Sequence, residues 1–277
     1  TLRDNPKISK LYKNPLTKWI VLKTVKAKLI STMGGCMKFF GIGGAPLDST
    51  VWDFLYSCHF PYALGYGLTE TSPLIAGCGP KHKMHKKGYI GKPVKHDDVI
   101  LLDKNEEGVG EIAVKGPNVM TGYYNNEELN KEVFTPEGYF KTGDLGYIDK
   151  HGYLSIRGRV KTMILGPAGE NIYPESIESI INNMEFVQES LVVPGDGGLV
   201  ALIKVDLEAM QEKLKISAEE VKNEAEKYLV KLKKTVNEQL SSFSKISDTE
   251  LQERDFERTP TQKIKRFLYS RKKKEDK

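Results

Sequence analysis

Apolar residues recur at helical spacing in several stretches of the chain. Residues 1–33 are helix-compatible, with Trp19, Leu22, Val25 and Leu29 roughly on one face and lysines elsewhere. Asp48 to Tyr56 predicts a second helix, with Val51, Phe54 and Leu55 on one face and Asp48 or Ser49 as its cap. Glu127 to Val133 predicts a short third helix. Pro174 opens another, at a position where proline is tolerated. Ile177, Ile180, Ile181 and Met184 then follow at i, i+3, i+4 and i+7. Ser217 and Glu220 form a capping box. The helix behind it carries Val221, Ala225, Tyr228, Leu232, Val236 and Leu240 on one side, which reads as a packing face.

Between these lie β-type runs. Met37 to Ile42 is a short apolar run that ends in the turn Gly43-Gly44-Ala45-Pro46-Leu47. Tyr62 to Leu64 is a brief strand that enters Gly65-Tyr66-Gly67, read as a turn by its glycines. Val99 to Leu102 and Glu111 to Val114 flank a polar connection. Tyr147 to Asp149 and Tyr153 to Ile156 form a hairpin around Lys150-His151-Gly152, with glycine where positive φ is needed. Thr162 to Leu165 is a strand candidate, and Leu191 to Val193 pairs with Leu199 to Val205 around Gly195-Asp196-Gly197-Gly198. The character shifts near the polar joint 158–161. The pattern predicts a mixed α/β and α+β chain, with residues 1–158 in one part and 162–277 in a small α+β domain.

Composition narrows the class. The chain has 277 residues, 39% of them hydrophobic and 29% charged, as in a soluble globular protein. No apolar run approaches the ~18 residues of a membrane span. No secretory signal opens the sequence, and Cys36, Cys58 and Cys78 lack disulfide or zinc spacing, which fits a reducing cytoplasm. The net charge is +5, concentrated at the ends. Residues 1–38 hold nine Lys/Arg and one acid, and residues 263–277 hold eight Lys/Arg and two acids. Nucleic acid, an anionic lipid surface or a polyphosphate ligand would each suit such charge. A nucleic-acid reader is disfavoured, because aromatic and basic residues do not interleave. The run Arg271 to Lys274 reads as a solvated tail. His82 and His85 near Cys78 invite a metal reading, but lysines from Lys81 to Lys87 repel a cation.

Several positions offer chemistry. Asp144 precedes the hairpin and Arg159 follows it; a carboxylate can accept from a vicinal diol and a guanidinium can donate to the same sugar. Taken alone, the two residues read first as an ordinary ion pair on a surface hairpin. Tyr66 offers a flat face for a base, the Thr69 hydroxyl can donate to phosphate, and Glu70 can help to hold Mg²⁺. Gly43, Gly44, Ala45 and Pro46 expose backbone to a flat ligand. Gly166 to Asn171 is a glycine loop without the Gly-Lys-Ser/Thr of a Walker motif. Lys263, in Thr259-Pro-Thr-Gln-Lys263-Ile-Lys-Arg266, can neutralise charge that develops on a phosphate and a carboxylate.

Eight motifs in order carry a resemblance: Gly-Gly-Ala-Pro-Leu at 43–47, Gly-Tyr-Gly-Leu-Thr-Glu at 65–70, Gly-Glu-Ile-Ala-Val-Lys-Gly at 110–116 and Val-Met-Thr-Gly-Tyr-Tyr at 119–124, then Lys-Thr-Gly-Asp-Leu at 141–145, Gly-Arg-Val-Lys at 158–161, Gly-Glu-Asn-Ile-Tyr-Pro-Glu-Ser-Ile-Glu at 169–178 and Thr-Pro-Thr-x-Lys-Ile at 259–264. Together they resemble the adenylate-forming superfamily, with wording most similar to bacterial long-chain fatty-acid–CoA ligases. The resemblance implies the last, β-rich part of a large AMP-binding domain followed by a small mobile lid domain. It implies activation of a fatty acid by ATP with Mg²⁺, then transfer to CoA, in the cytoplasm or at the inner face of its membrane. Ligation of an aromatic or amino acid, and a silent nucleotide-binding module, are the alternatives.

By the same resemblance, Tyr66 and residues 43–46 enclose adenine, and Asp144 and Arg159 hold the ribose. Thr69 contacts phosphate, Glu70 helps to hold Mg²⁺, and Lys263 assists adenylation. Lys161, in the joint 159–161, is the hinge, and Gly169 approaches the pantetheine arm of CoA. Two departures stand out. The family's phosphate loop is absent and is expected upstream of residue 1, together with much of the acyl pocket, so this stretch alone is expected to be inactive. Gln262 stands where many relatives have Gly before the lysine.

Overall fold

The computed structural model describes residues 14–166, 169–260 and 263–269. The chain divides into two compact units, Thr1–Ile156 and Arg157–Lys277.

In the first unit, helix α1 (Pro15–Thr32) precedes strand β1 (Phe40–Ile42), helix α2 (Ser49–Ser57) and strands β2 (Tyr62–Gly67), β3 (Leu74–Cys78) and β4 (Lys92–Pro93). These strands form one sheet in the order β1-β2-β3-β4. β1 runs parallel to β2 through the α2 crossover, and the remaining pairs are antiparallel. Asp48 caps α2, its carboxylate accepting from the Thr50 and Val51 amides. The second sheet contains β5 (Asp98–Leu102), β6 (Gly110–Lys115), β7 (Phe140–Ile148) and β8 (Leu154–Arg159) in sequence order, with helix α3 (Glu127–Val133) before β7. Ile75, Ala76, Ile112, Val114, Phe140 and Leu154 make one core cluster. Trp52, Leu55, Phe60, Tyr62 and Leu64 make another, against which Leu22, Leu29 and Ile30 pack.

The second unit starts with the small ladder β9 (Ile164–Leu165) and β10 (Asn171–Ile172), then helix α4 (Pro174–Ile181). Strands β11 (Val187–Gly195) and β12 (Gly198–Val205) form a hairpin. Helices α5 (Leu207–Leu214) and α6 (Ala218–Asn237) then lead to β13 (Ile246–Leu251), parallel to β12. Side chains of the hairpin alternate between two apolar layers. Val192, Leu199, Ala201, Ile203 and Val205 join Ile177, Ile181, Val221, Ala225, Leu229, Leu232 and Val236. Leu191, Val193, Val200 and Leu202 face Phe256, Ile264 and Tyr269. Both faces are covered, so β12 is almost continuously apolar rather than alternating.

Several expectations need correction. Trp19 and Val51 are exposed, at 59% and 44%, while Trp52 is buried. The inward stripe of α1 follows Leu22, Leu29 and Ile30, and α2 buries Trp52 with Leu55, three residues apart on one helix face. Residues 1–13 of the expected first helix, Gln262 and the Arg271–Lys274 tail lie outside the described residues. Thr162 sits in a turn, with its amide donating to the Arg159 carbonyl at 3.2 Å, so β9 begins only at Ile164. Met184 and Leu240 lie beyond the ends of α4 and α6, although both pack on the core. Gly65-Tyr66-Gly67 is strand rather than turn. Its glycines serve close approach. A Cβ on Gly67 would sit 1.6 Å from the Pro73 carbonyl oxygen, and one on Gly65 would sit 2.9 Å from Leu74 Cδ1.

Among the described residues, no helix is long and apolar enough to cross a membrane. The three cysteines form no disulfide. His85 stacks on Tyr62 at 3.9 Å and its Nε2 lies 3.0 Å from the Tyr62 carbonyl. His82 stacks between Tyr56 and His59. Burial lowers the pKa of both histidines. No group of three His, Cys, Asp or Glu among the described residues is arranged to hold a metal.

Candidate active site

The Thr142-Gly143-Asp144 segment shows how local sequence places a functional group. In the ladder between β6 and β7, Glu111 pairs with Leu145 and Ala113 pairs with Lys141. One residue of β6 therefore opposes three of β7, and residues 142–144 bulge from the ladder. Gly143 makes this possible with φ of 72°. Thr142 Oγ1 donates to the Ile112 carbonyl at 2.8 Å and accepts from the Asp144 amide at 3.1 Å, so the hydroxyl occupies the gap in the ladder. Gly143 N donates to Glu111 Oε1 at 3.1 Å. The bulge re-aims Asp144, whose buried carboxylate accepts from Tyr66 Oη at 2.8 Å.

Tyr66 comes from β2, next to a register shift in its ladder with β3. The Gly43–Pro46 loop, which leaves β1, is exposed and lies near the same strand. A Cβ on Gly43 would be 3.0 Å from the Gly65 carbonyl oxygen, and Gly44 takes φ of 82°. The structure thus brings three separated motifs together: the Gly-Gly-Ala-Pro loop, the Tyr66 strand and the Asp144 bulge.

Thr69 and Glu70 occupy a short 3-10 turn, Thr69–Thr71, after β2. The Leu68 amide donates to Thr71 Oγ1 at 3.0 Å, and that hydroxyl donates to the Pro73 carbonyl at 2.8 Å. Thr69 is exposed and Glu70 is half-buried. Sequence reasoning missed the residues that hold this turn. Tyr123 Oη donates to Glu70 Oε1 at 2.9 Å, and the Met120 amide donates to the Glu70 carbonyl at 2.8 Å. Burial pushes the Tyr123 phenol up, and its bond to Glu70 adds to the rise. Asn130 clamps Tyr123 from α3, accepting from its amide at 2.7 Å and donating to its carbonyl at 3.0 Å. Asn118 Nδ2 lies 2.9 Å from the Thr71 and Leu74 carbonyls. The signal was available: Asn118 flanks, and Tyr123 belongs to, the Val-Met-Thr-Gly-Tyr-Tyr run.

The other predicted residues belong to the second unit. Arg159 ends β8, and Lys161 lies exposed in the turn that follows. That turn is tied down by Thr162 Oγ1, 2.7 Å from Glu175 Oε1. Gly169 has φ of 88° and donates to the Gly166 carbonyl at 3.0 Å, in the loop between β9 and β10. Lys263 is exposed; the Thr259 amide donates to its carbonyl at 2.8 Å, and its amide donates to Thr259 Oγ1 at 3.2 Å.

A bulged carboxylate, a tyrosine beside it and a glycine loop at the end of a parallel strand pair meet on this α/β scaffold and make up the candidate site. The fold is that of the adenylate-forming enzymes. It is similar to the o-succinylbenzoate CoA synthetase MenE of Bacillus subtilis in complex with the acyl-adenylate intermediate OSB-AMP, with a TM-score of 0.71 and 28% identity over 91% of this chain and 50% of that one. The same enzyme is also known in complex with ATP and magnesium ion. Residues 10–124 match the AMP-binding enzyme family. The chain carries an AMP-binding domain of the adenylate-forming superfamily. Among curated proteins it is 34% identical to the 2-succinylbenzoate–CoA ligase of Oceanobacillus iheyensis, over 70% of this chain and 40% of that protein. It is 36% identical to the long-chain-fatty-acid–CoA ligase FadD15 of Mycobacterium bovis, over 68% of this chain and 30% of that protein. The chain therefore spans less than half the length of these relatives.

Proposed function

We propose that this chain is part of an acid–CoA ligase that activates a carboxylic acid with ATP and passes the acyl group to CoA. The observation that carries the reading is the Tyr66–Asp144 bond, which joins two motifs that sequence reasoning had assigned to one nucleotide. In this reading the Tyr66 ring and residues 43–46 enclose adenine. Asp144 accepts from the ribose hydroxyls, to which Arg159 donates, and Thr69 contacts phosphate.

Glu70 suits Mg²⁺. It supplies one hard oxygen ligand fixed by Tyr123, in keeping with an ion that takes one or two carboxylates and completes its shell with substrate phosphates and water. When bound, the ion would offset phosphate charge. Lys263 assists the first step, in which a carboxylate oxygen attacks the α-phosphorus and pyrophosphate leaves. In the second step the CoA thiol sulfur attacks the acyl carbon and AMP leaves. Lys161 serves as the hinge, in a joint spanning 159–161 between residues 1–158 and 162–277. The backbone at Gly169, in the left-handed region, lies along the pantetheine arm.

For the carboxylate we propose a long-chain fatty acid, supported by the FadD15 relative. The succinylbenzoate ligases support a second reading, an aromatic carboxylate. ATP–pyrophosphate exchange with the full-length gene product decides between them. Exchange driven by long-chain fatty acids and abolished in Lys263→Ala is the expected result. Exchange driven by 2-succinylbenzoate alone would transfer the assignment to that acid. No exchange with any acid, in a folded protein that binds ATP, would leave only a nucleotide-binding module.

A further inference from the structure

Lys263 lies on a loop whose ends are held together. Arg258 and Ile264 form a β-bridge, and the Lys265 amide donates to the Glu257 carbonyl at 2.8 Å. Phe256 and Tyr269 pack edge to face with centroids 5.2 Å apart, and both join the apolar layer on β11 and β12. Arg258 Nη2 meets Glu189 of β11 at 2.6 and 2.5 Å. These contacts hold the loop to the sheet.

Arg266, three residues after Lys263, makes a different connection. Its Nη1 donates to Glu178 Oε1 at 2.8 Å and its Nη2 donates to Oε2, a two-pronged grip on the buried carboxylate of α4. Glu178 Oε1 also accepts from the Val192 amide at 2.7 Å. Arg266 Nη2 lies 3.7 Å from Glu175 Oε1, the atom that accepts from Thr162 in the turn carrying Lys161. One guanidinium therefore ties the Lys263 loop to α4 and to the hinge turn. Burial pushes the Glu178 carboxyl up and Arg266 opposes it. A buried pair of this kind often adds less stability than apolar side chains of similar volume, so its distinctive contribution is geometry.

We infer that Arg266 is a positioning residue that sets Lys263 for adenylation by fixing its loop to Glu178 and, through Glu175, to the Thr162 turn. This rests on the reading of Lys263 given above.

Removing Arg266 alone would strand a buried carboxylate, so the test uses the paired variant E178L/R266M beside R266K. In the full-length enzyme, E178L/R266M should lose at least tenfold in ATP–pyrophosphate exchange while thioester formation from supplied acyl-adenylate stays within twofold. R266K should lose exchange too, because an ammonium does not reproduce the planar fork. Adding the pair to Lys263→Ala should cause no further loss. Backbone amides of 263–269 should exchange faster with solvent, beyond the modest fall in Tm expected from the Val192 amide that Glu178→Leu leaves unpaired. Intact exchange in a folded E178L/R266M protein, beside an inactive Lys263→Ala, would overturn this inference alone. So would an equal fall in both half-reactions. Intact exchange in Lys263→Ala would overturn the reading of Lys263 and this inference with it.

Discussion

A hydroxyl and a carboxylate 78 positions apart, Tyr66 and Asp144, meet at 2.8 Å because two strands are irregular at those residues. Residue types and their neighbours made both side chains legible as candidates. Their partners were less so. Tyr123 sat inside a recognisable motif but carried no role until the turn at Glu70 was seen beside it. Its phenol is held above the ordinary range first by burial and then by the bond to Glu70, so Glu70→Gln should lower the Tyr123 pKa without restoring it fully. Carbon-13 tyrosine NMR through alkaline pH reads this directly; an unmoved resonance midpoint would rule out the bond. Tyr123→Phe should lose about 1 kcal/mol by chemical denaturation, below the ~1.5–3 kcal/mol of a fully buried bond to a charged group, because the pair is half-exposed.

Elements with strong local signals were legible. The capping box at Ser217 fixed the start of α6, and the paired strands 191–193 and 199–205 proved to be the edge and central strands of a three-stranded sheet. The reading failed where glycine had two meanings. In Gly65-Tyr66-Gly67 the glycines leave room for the Pro73 backbone and the Leu74 side chain at the start of β3, whereas Gly152 serves a hairpin turn with φ of 80°. Only the neighbouring strand, distant in sequence, distinguishes these cases. Substitution separates them experimentally. Gly67→Ala would drive a methyl into a backbone oxygen and should cost about 3 kcal/mol, at the top of the usual ~1–3 kcal/mol for overpacking. Gly152→Ala meets open space and should cost only the ~1–2 kcal/mol of a left-handed L-residue. Equal losses for the two variants in urea unfolding would refute the close-approach account. The short strands β4, β10 and β13 carry few apolar residues in unbroken runs. Helix α5 is only about two turns of amphipathic chain between stronger signals. None of them stood out before their partners were known.

At the scale of the molecule, the polar joint near residues 158–161 suggested two parts, and each unit contains its own apolar clusters. The sheet of the second unit is closed within that unit: α4 and α6 cover one face and residues around Phe256 and Tyr269 cover the other. Its stability should therefore respond to its own core alone. Leu229 is buried at 3% exposure in the α4–α6 layer, and Leu229→Ala should cost about 2–5 kcal/mol of local stability through lost burial and a cavity. Native-state hydrogen exchange can assign that loss. Amides of β11, β12 and α6 should exchange faster in proportion, while those of β2, β6 and β7 keep their protection. Uniform loss of protection across both sets would show a single cooperative unit instead. The distinction bears on function. A lid that alternates between two half-reactions must carry its own stability while the joint moves, and a unit that melted only with its neighbour would not meet that demand.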